Sequence, residues 1–163
     1  MLWDLSTFDR EDFDFSEYLR FLGKEHLNVK FHETLLRVTI PNLGCTDTKR
    51  CDADAHGLRK AREANVIFKH LAVNGVKHIL KVVVPDCTIH PHANKDIIDA
   101  LRPFTIRNLD WRKSNLGVKT IMMSAPDVET LALYSSGDED ALAQWINSDG
   151  LCQLPKVERF YKW

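Results

Sequence analysis

From Asp52 onward the apolar positions switch between a helical spacing of three or four and a strand spacing of two, with turn residues at each switch. Asp52 or Asp54 is placed to cap a helix through AHGLRKAREANVIFKHLAVNG. There Leu58, Ala61, Ala64 (or Asn65), Phe68 and Leu71 share one face, and Asn74-Gly75 is the stop signal. The β-branched run VKHILKVVVPD follows, ending at Pro85, and reads as a buried strand. HANKDIIDALR is the next helix, with Ile97, Ile98 and Leu101 as its apolar face and Pro103 beyond its end. The alternation continues through a strand at FTIRNLDW, a short helix at VKTIMMSAP, a strand at VETLALYSS, a helix at DEDALAQWINSDGL and a strand at VERFYKW.

Strand starts near Val76, Thr105, Val128 and Val157 recur about every 23 to 29 residues, a range expected of leucine-rich-repeat-like or βαβ units. Ile79, Ile106 and Leu131 align as strand cores, each followed by apolar residues at alternate positions. The expected class is α/β, with parallel strands and right-handed helical crossovers. Two architectures satisfy it: a short leucine-rich-repeat-like solenoid with helices on one face, and a doubly wound sheet covered on both. Arg107, Asn108, Asp110 and Arg112, with Thr130, Ala132 and Tyr134, interleave the apolar positions and leave one sheet face partly open. That favours the solenoid. Ending on the uncapped strand Val157 to Trp163, the pattern suggests one part of a longer protein.

Residues 1–50 have another texture and are expected to form an aromatic, acidic arm and linker packing on a main domain of residues 51–163. Phe8, Phe13, Phe15, Tyr18 and Phe21 are interleaved with Asp9, Glu11, Asp12, Asp14 and Glu17. A short helix is expected over Ser16 to Lys24. Leu35, Leu36, Val38 and Ile40 suggest an extended piece ending at Pro41, and Asn42 to Arg50 a loop.

Composition narrows the function classes. Apolar residues at 44% and charged residues at 28% suit a globular chain, and a net charge of −1 argues against nucleic acid as the main ligand. No apolar run approaches the roughly 18 residues of a membrane span, and the acidic start MLWDLSTFDREDFDF is unlike a signal peptide. A cytoplasmic location is expected. Cys45, Cys51, Cys87 and Cys152 are too scattered for a disulfide framework and read as reduced thiols.

No phosphate-binding glycine loop, nucleophile elbow or H-E-x-x-H motif is present, and no catalytic residue is assigned. Ser135-Ser136-Gly137 at a strand end is the nearest thing to a nucleophile site. It reads as a turn, with Gly137 and Asp138 opening the next helix and Glu139 and Asp140 as its first-turn acids. Cys87, His90 and His92 offer thiolate and imidazole within one loop, so zinc is the alternative to no cofactor, although paired cysteine spacing is missing. Histidines of that loop capping the next helix is the plainer reading. Arg107, Arg112 and Lys113 flank Trp111, a basic and aromatic grouping of the kind that meets phosphates or bases; a solvated sheet edge explains it more simply.

VKHILKVVVPD, HANKDIIDALRPF, LDWRKSNL, PDVETLALYSSGDEDALAQW and GLCQLPKVERF together resemble the α/β region that precedes the subtilisin-like serine peptidase domain in large filamentous-fungal multidomain proteins. The likeness rests on Ile79–Val84, His90–Asp96, Leu109–Lys113, Leu133–Gly137 and Trp145, and covers about two-thirds of the chain. It implies a module of a larger peptidase-linked or signalling protein. It implies no peptidase activity for this segment, because the subtilisin-like signatures around Asp, His and Ser are absent. The expected function is a non-catalytic protein-interaction or regulatory module, whose partner is another protein or an attached domain. Its sheet surface would carry Arg107, Asp110, Trp111, Arg112, Glu129, Tyr134, Arg159 and Tyr161. The alternatives are a metal-binding or hydrolytic site at the strand ends and a prodomain-like regulator of an attached serine peptidase.

Overall fold

The computed structural model describes residues 2–4, 31–40, 56–86 and 91–162, with side chains undescribed for 2–4, 56–63 and 162. The expected helix over Ser16 to Lys24, the acidic aromatic segment and the loop from Asn42 to Arg50 lie outside these residues. In chain order the elements are β1 (Leu2–Asp4), β2 (Thr34–Thr39), α1 (His56–Val73), β3 (His78–Val84), α2 (Asn94–Leu101), β4 (Thr105–Ser114), α3 (Val118–Ser124), β5 (Thr130–Tyr134), α4 (Glu139–Ile146), a 3-10 turn at Leu151–Gln153 and β6 (Arg159–Lys162). Every adjacent strand pair is parallel, and the sheet runs β1-β2-β3-β4-β5-β6. Strands adjacent in sequence are therefore adjacent in space. A doubly wound sheet needs a point where the strand order reverses, and none occurs among the described strands. β1 and β2, from the first fifty residues, belong to the same sheet as the rest.

The four units built on β2 to β5 bury the same three positions, at spacings of three and then two. These are Leu35, Val38 and Ile40; Ile79, Val82 and Val84; Ile106, Leu109 and Trp111; and Val128, Leu131 and Leu133, all at most 2% exposed. Strict alternation thus begins only at the second position. The two residues after the first face away from the core, as with Arg107-Asn108 and Glu129-Thr130. The expected alignment of Leu131 with Ile79 and Ile106 is corrected by this pattern. Ile79 pairs with Ile106, whereas Leu131 pairs with Leu109, itself opposite Val82. The lateral rows of like side chains across neighbouring strands set this register, since a slip would carry apolar groups to the wrong face.

The core lies between these strand positions and the helices. α1 supplies Ala64, Ile67, Phe68 and Leu71, α2 supplies Ile97 and Leu101, α3 supplies Val118 and Ile121, and α4 supplies Trp145. α1 packs on α2 and α2 on α3, so these helices form one layer. α1 ends as its sequence dictates. Gly75 takes φ +87°, its N–H donates to Ala72 O and that of Val76 to Leu71 O, both at 3.1 Å, closing a Schellman cap that a β-carbon would strain. At α4 the Asp138 carboxylate accepts from Asp140 N–H at 3.0 Å, with Glu139 and Asp140 facing the positive helix end. Trp145 is held in the core by an indole N–H bond to Leu116 O at 2.9 Å. No helix among the described residues is long and apolar enough to cross a membrane.

Candidate functional site

The sheet face opposite the helices carries a shallow groove of about 500 Å³ across β3 to β6. Its lining includes Lys81, Asn108, Asp110, Arg112, Tyr134 and Arg159. The strand pairing builds this surface. Lys81, Asn108, Thr130 and Arg159 are successive lateral neighbours, and Val83, Asp110, Ala132 and Tyr161 form the next row. Because outward side chains on neighbouring strands stand beside one another, four separate segments contribute to one patch.

Asp110 is the centre of the groove's polar network. Tyr134 donates its hydroxyl to Asp110 Oδ1 at 2.8 Å, and Arg112 Nε lies 3.5 Å from the same oxygen. Burial, then the Asp110 bond and charge, push the Tyr134 phenol up to about 12, despite the opposing effect of Arg112. Spectrophotometric titration is expected to show one phenol that resists ionisation until about pH 12, and Tyr134→Phe to remove that late step. The sign follows from the environment: a phenolate beside the Asp110 carboxylate adds a second negative charge to a half-desolvated spot.

Of the residues expected on this surface, Asp110, Arg112, Tyr134, Arg159 and Tyr161 line the groove together. Arg107 and Glu129 are paired with each other at 3.5 Å and are not part of its lining. Asn108 and Thr130, read from the sequence as polar positions of the open face, also line the groove, together with Lys81, which was not anticipated. The signal that finds Lys81 is register: it occupies the same lateral row as Arg159.

Trp111 is corrected outright. It is 0% exposed and lies on the helix side of the sheet. It stacks on Phe68 at 6.4 Å and meets His92 edge to face at 5.2 Å. It has no surface to offer a phosphate or a base. Its flanking residue Arg112 points to the open face, and Lys113 bonds the His92 carbonyl oxygen and Asn94 Oδ1. Burial holds the Lys113 ammonium below its ordinary value.

A second polar cluster lies where β3 and β4 end. Asp86 accepts from the His92 ring Nδ1–H at 2.7 Å, from the His92 backbone N–H at 3.1 Å and from the Trp111 indole N–H at 3.0 Å. The carboxylate side chain is 1% exposed. Burial alone would raise the Asp86 carboxyl, but the hydrogen bonds and charge of His92, with the Trp111 N–H, hold it below the usual carboxylate value. His92 does not cap α2, as the plainer loop reading has it. The N-cap is Ala93, which makes no side-chain capping bond. His92 instead fastens the chain entering α2 to the end of β3.

The zinc alternative rests on Cys87 and His90, which lie outside the described residues, together with His92, whose Nδ1 is bound to Asp86. No group of three potential ligands occurs among the described residues. Of the four cysteines only Cys152 is described, as an exposed thiol. At Ser135-Ser136-Gly137 the hydroxyls serve the turn. Ser135 Oγ accepts from Gly137 N–H at 3.0 Å and Ser136 Oγ accepts from Asn115 Nδ2–H at 2.7 Å. Gly137 adopts φ +89°, as the turn reading requires.

These features define an α/β protein with a sequentially ordered, all-parallel sheet, helices on one face and a polar groove on the other. Comparison with family models, with curated proteins and with solved structures finds no match to this chain.

Proposed function

We propose that the chain is a leucine-rich-repeat-like, non-catalytic module that binds another protein, or an attached domain of its own polypeptide, across the open face of its sheet. The observation that carries this reading is the groove itself. Four consecutive strands project Lys81, Asn108, Thr130 and Arg159 side by side with no helix over them among the described residues. A sheet face covered by helices is core; one left uncovered, polar and concave enough to hold a ligand is a recognition surface. The recurring burial of strand positions at spacings of three and two supports the repeat character. The resemblance to the region preceding fungal subtilisin-like domains supports a place within a larger regulatory or signalling protein.

The test is site-specific photo-cross-linking in the source cells. A photoreactive residue at Thr130, in the groove, is expected to give a discrete adduct that disappears when Tyr134→Ala is added. The same residue at Met123, exposed on the helix side, is expected to give none. Equal adducts from both positions, or none from Thr130, would remove the open face as the binding surface.

A further inference from the structure

The groove's charges are not balanced, and their spacing describes an occupant. Three basic side chains, Lys81, Arg112 and Arg159, line it against one carboxylate, Asp110. Asp110 is already engaged by Tyr134 and Arg112. No ion pair among the described residues includes Lys81 or Arg159. These two cations stand in the same lateral row, with Asn108 and Thr130 between them on β4 and β5. Three inter-strand steps separate them, which is about 14 Å at the usual spacing of parallel strands. An extended peptide advances about 13 Å in four residues, and its side chains at i and i+4 point the same way.

Resting on the proposed use of this face, we infer that the groove binds an extended, acidic protein segment lying across the strands. Two carboxylates four residues apart meet Lys81 and Arg159, and the uncharged residues between them lie over Asn108 and Thr130. Asn108 and Thr130 supply an amide and a hydroxyl for the peptide backbone. Asp110 sits beside that uncharged middle in the next row, which disfavours nucleic acid. A phosphate at every nucleotide would bring a negative charge against Asp110, whereas a spaced carboxylate pair leaves the middle neutral. Charge complementarity of this kind sets register and selects partners more than it adds raw affinity.

The experiment is fluorescence anisotropy with the whole chain and a series of labelled peptides. Each carries two glutamates separated by one to six positions in an otherwise uncharged, extended sequence. Binding is expected to peak at the i, i+4 spacing, to weaken with added salt, and to fall about tenfold with Lys81→Glu or Arg159→Glu, because each reversal sets like charges together. Lys119→Glu, an exposed change on α3, is expected to leave it unaltered. Circular dichroism of each variant confirms that the fold is kept. Affinity that ignores spacing, an equal loss with Lys119→Glu, or tighter binding of a single-stranded RNA oligomer would each overturn the inference. If no peptide binds while the Thr130 cross-link persists, the acidic occupant is wrong and the open face remains the partner surface.

Discussion

Trp111→Ala is expected to lower the unfolding free energy by about 4 kcal/mol, the range for truncating a large aromatic side chain in a packed core. The indole is fully buried, stacked on Phe68 and edge-on to His92, so its removal leaves a cavity that two aromatic neighbours line. It also withdraws the N–H that Asp86 Oδ2 accepts at 3.0 Å. A domain's total stability is about 5 to 15 kcal/mol, so this one change consumes much of it. Urea unfolding followed by tryptophan fluorescence and circular dichroism measures the loss. Trp111→Phe separates the two contributions. It keeps most of the packing and drops the hydrogen bond, and is expected to cost about 1 to 2 kcal/mol. Arg107→Ala, on the exposed side of the same strand, is expected to change stability by less than about 0.5 kcal/mol. A Trp111→Ala protein as stable as wild type would mean that the helix layer does not close over β4 as described.

Asp86→Asn is expected to cost about 3 kcal/mol near neutral pH, the upper scale for disrupting hydrogen bonds to a buried charged group. The wild-type carboxylate accepts from two donors of His92 and from the Trp111 indole. An asparagine offers one acceptor oxygen and turns an NH₂ group toward donors, so at least one of those groups loses its partner. The effect depends on pH with a definite sign. The folded carboxyl lies below its ordinary value of 3.8, so its contribution is fully present above that value. It is lost as pH falls below 3.8 and through the lower folded-state value. Wild-type stability should therefore decline across that acid window more steeply than that of Asp86→Asn, and the two should converge at its lower end. Urea titrations at neutral pH and at several points below pH 4 test both the magnitude and the convergence. Parallel acid limbs would show that the Asp86 carboxyl ionises over the same pH range in the folded and unfolded protein.

The contrast between these two buried sites and the groove shows what each part of the fold contributes. The Asp86 cluster fastens two strand ends and the start of α2 through the donors that its carboxylate accepts, and only His92 Nε2 is buried there without a partner among the described residues. The groove is built the other way. Asp110 is satisfied by Tyr134 and Arg112, while Lys81 and Arg159 face solvent without an acidic partner among the described residues. One site holds the structure together, and the other is left with charge to offer a partner.

Much of the architecture was legible along the chain. Apolar spacing placed α1 through α3 and β2 through β6 within a few residues, because a helix or strand that buries one face must repeat at its own period. α4 starts as expected but stops at Ile146, five residues before the end of the expected helix at Leu151. Glycine marked the end of α1 and aspartate the start of α4 for local reasons, a positive φ at Gly75 and a capped N–H at Asp140, while the expected caps Asp52 and Asp54 lie outside the described residues. The interleaved polar residues on β4 and β5 also announced an open face. β1 was missed, since its three residues, Leu2–Asp4, are too few to show a period.

What the sequence could not decide was where each strand lies against its neighbour. Alternation within a strand says which residues share a face, but not which residue of the next strand stands beside them. That register placed Leu131 beside Leu109 instead of Ile106, and brought Lys81 into a row with Arg159. It depends on how the whole core packs, a property of several segments at once. Trp111 makes the same point. Its neighbours in sequence are basic, which suggested a surface, yet its neighbours in space are Phe68, Asp86 and His92. The local periods that build each element are written in the chain itself. The polar groove and the buried Asp86 cluster arise only when separate strands are brought side by side, because their chemistry belongs to no single segment.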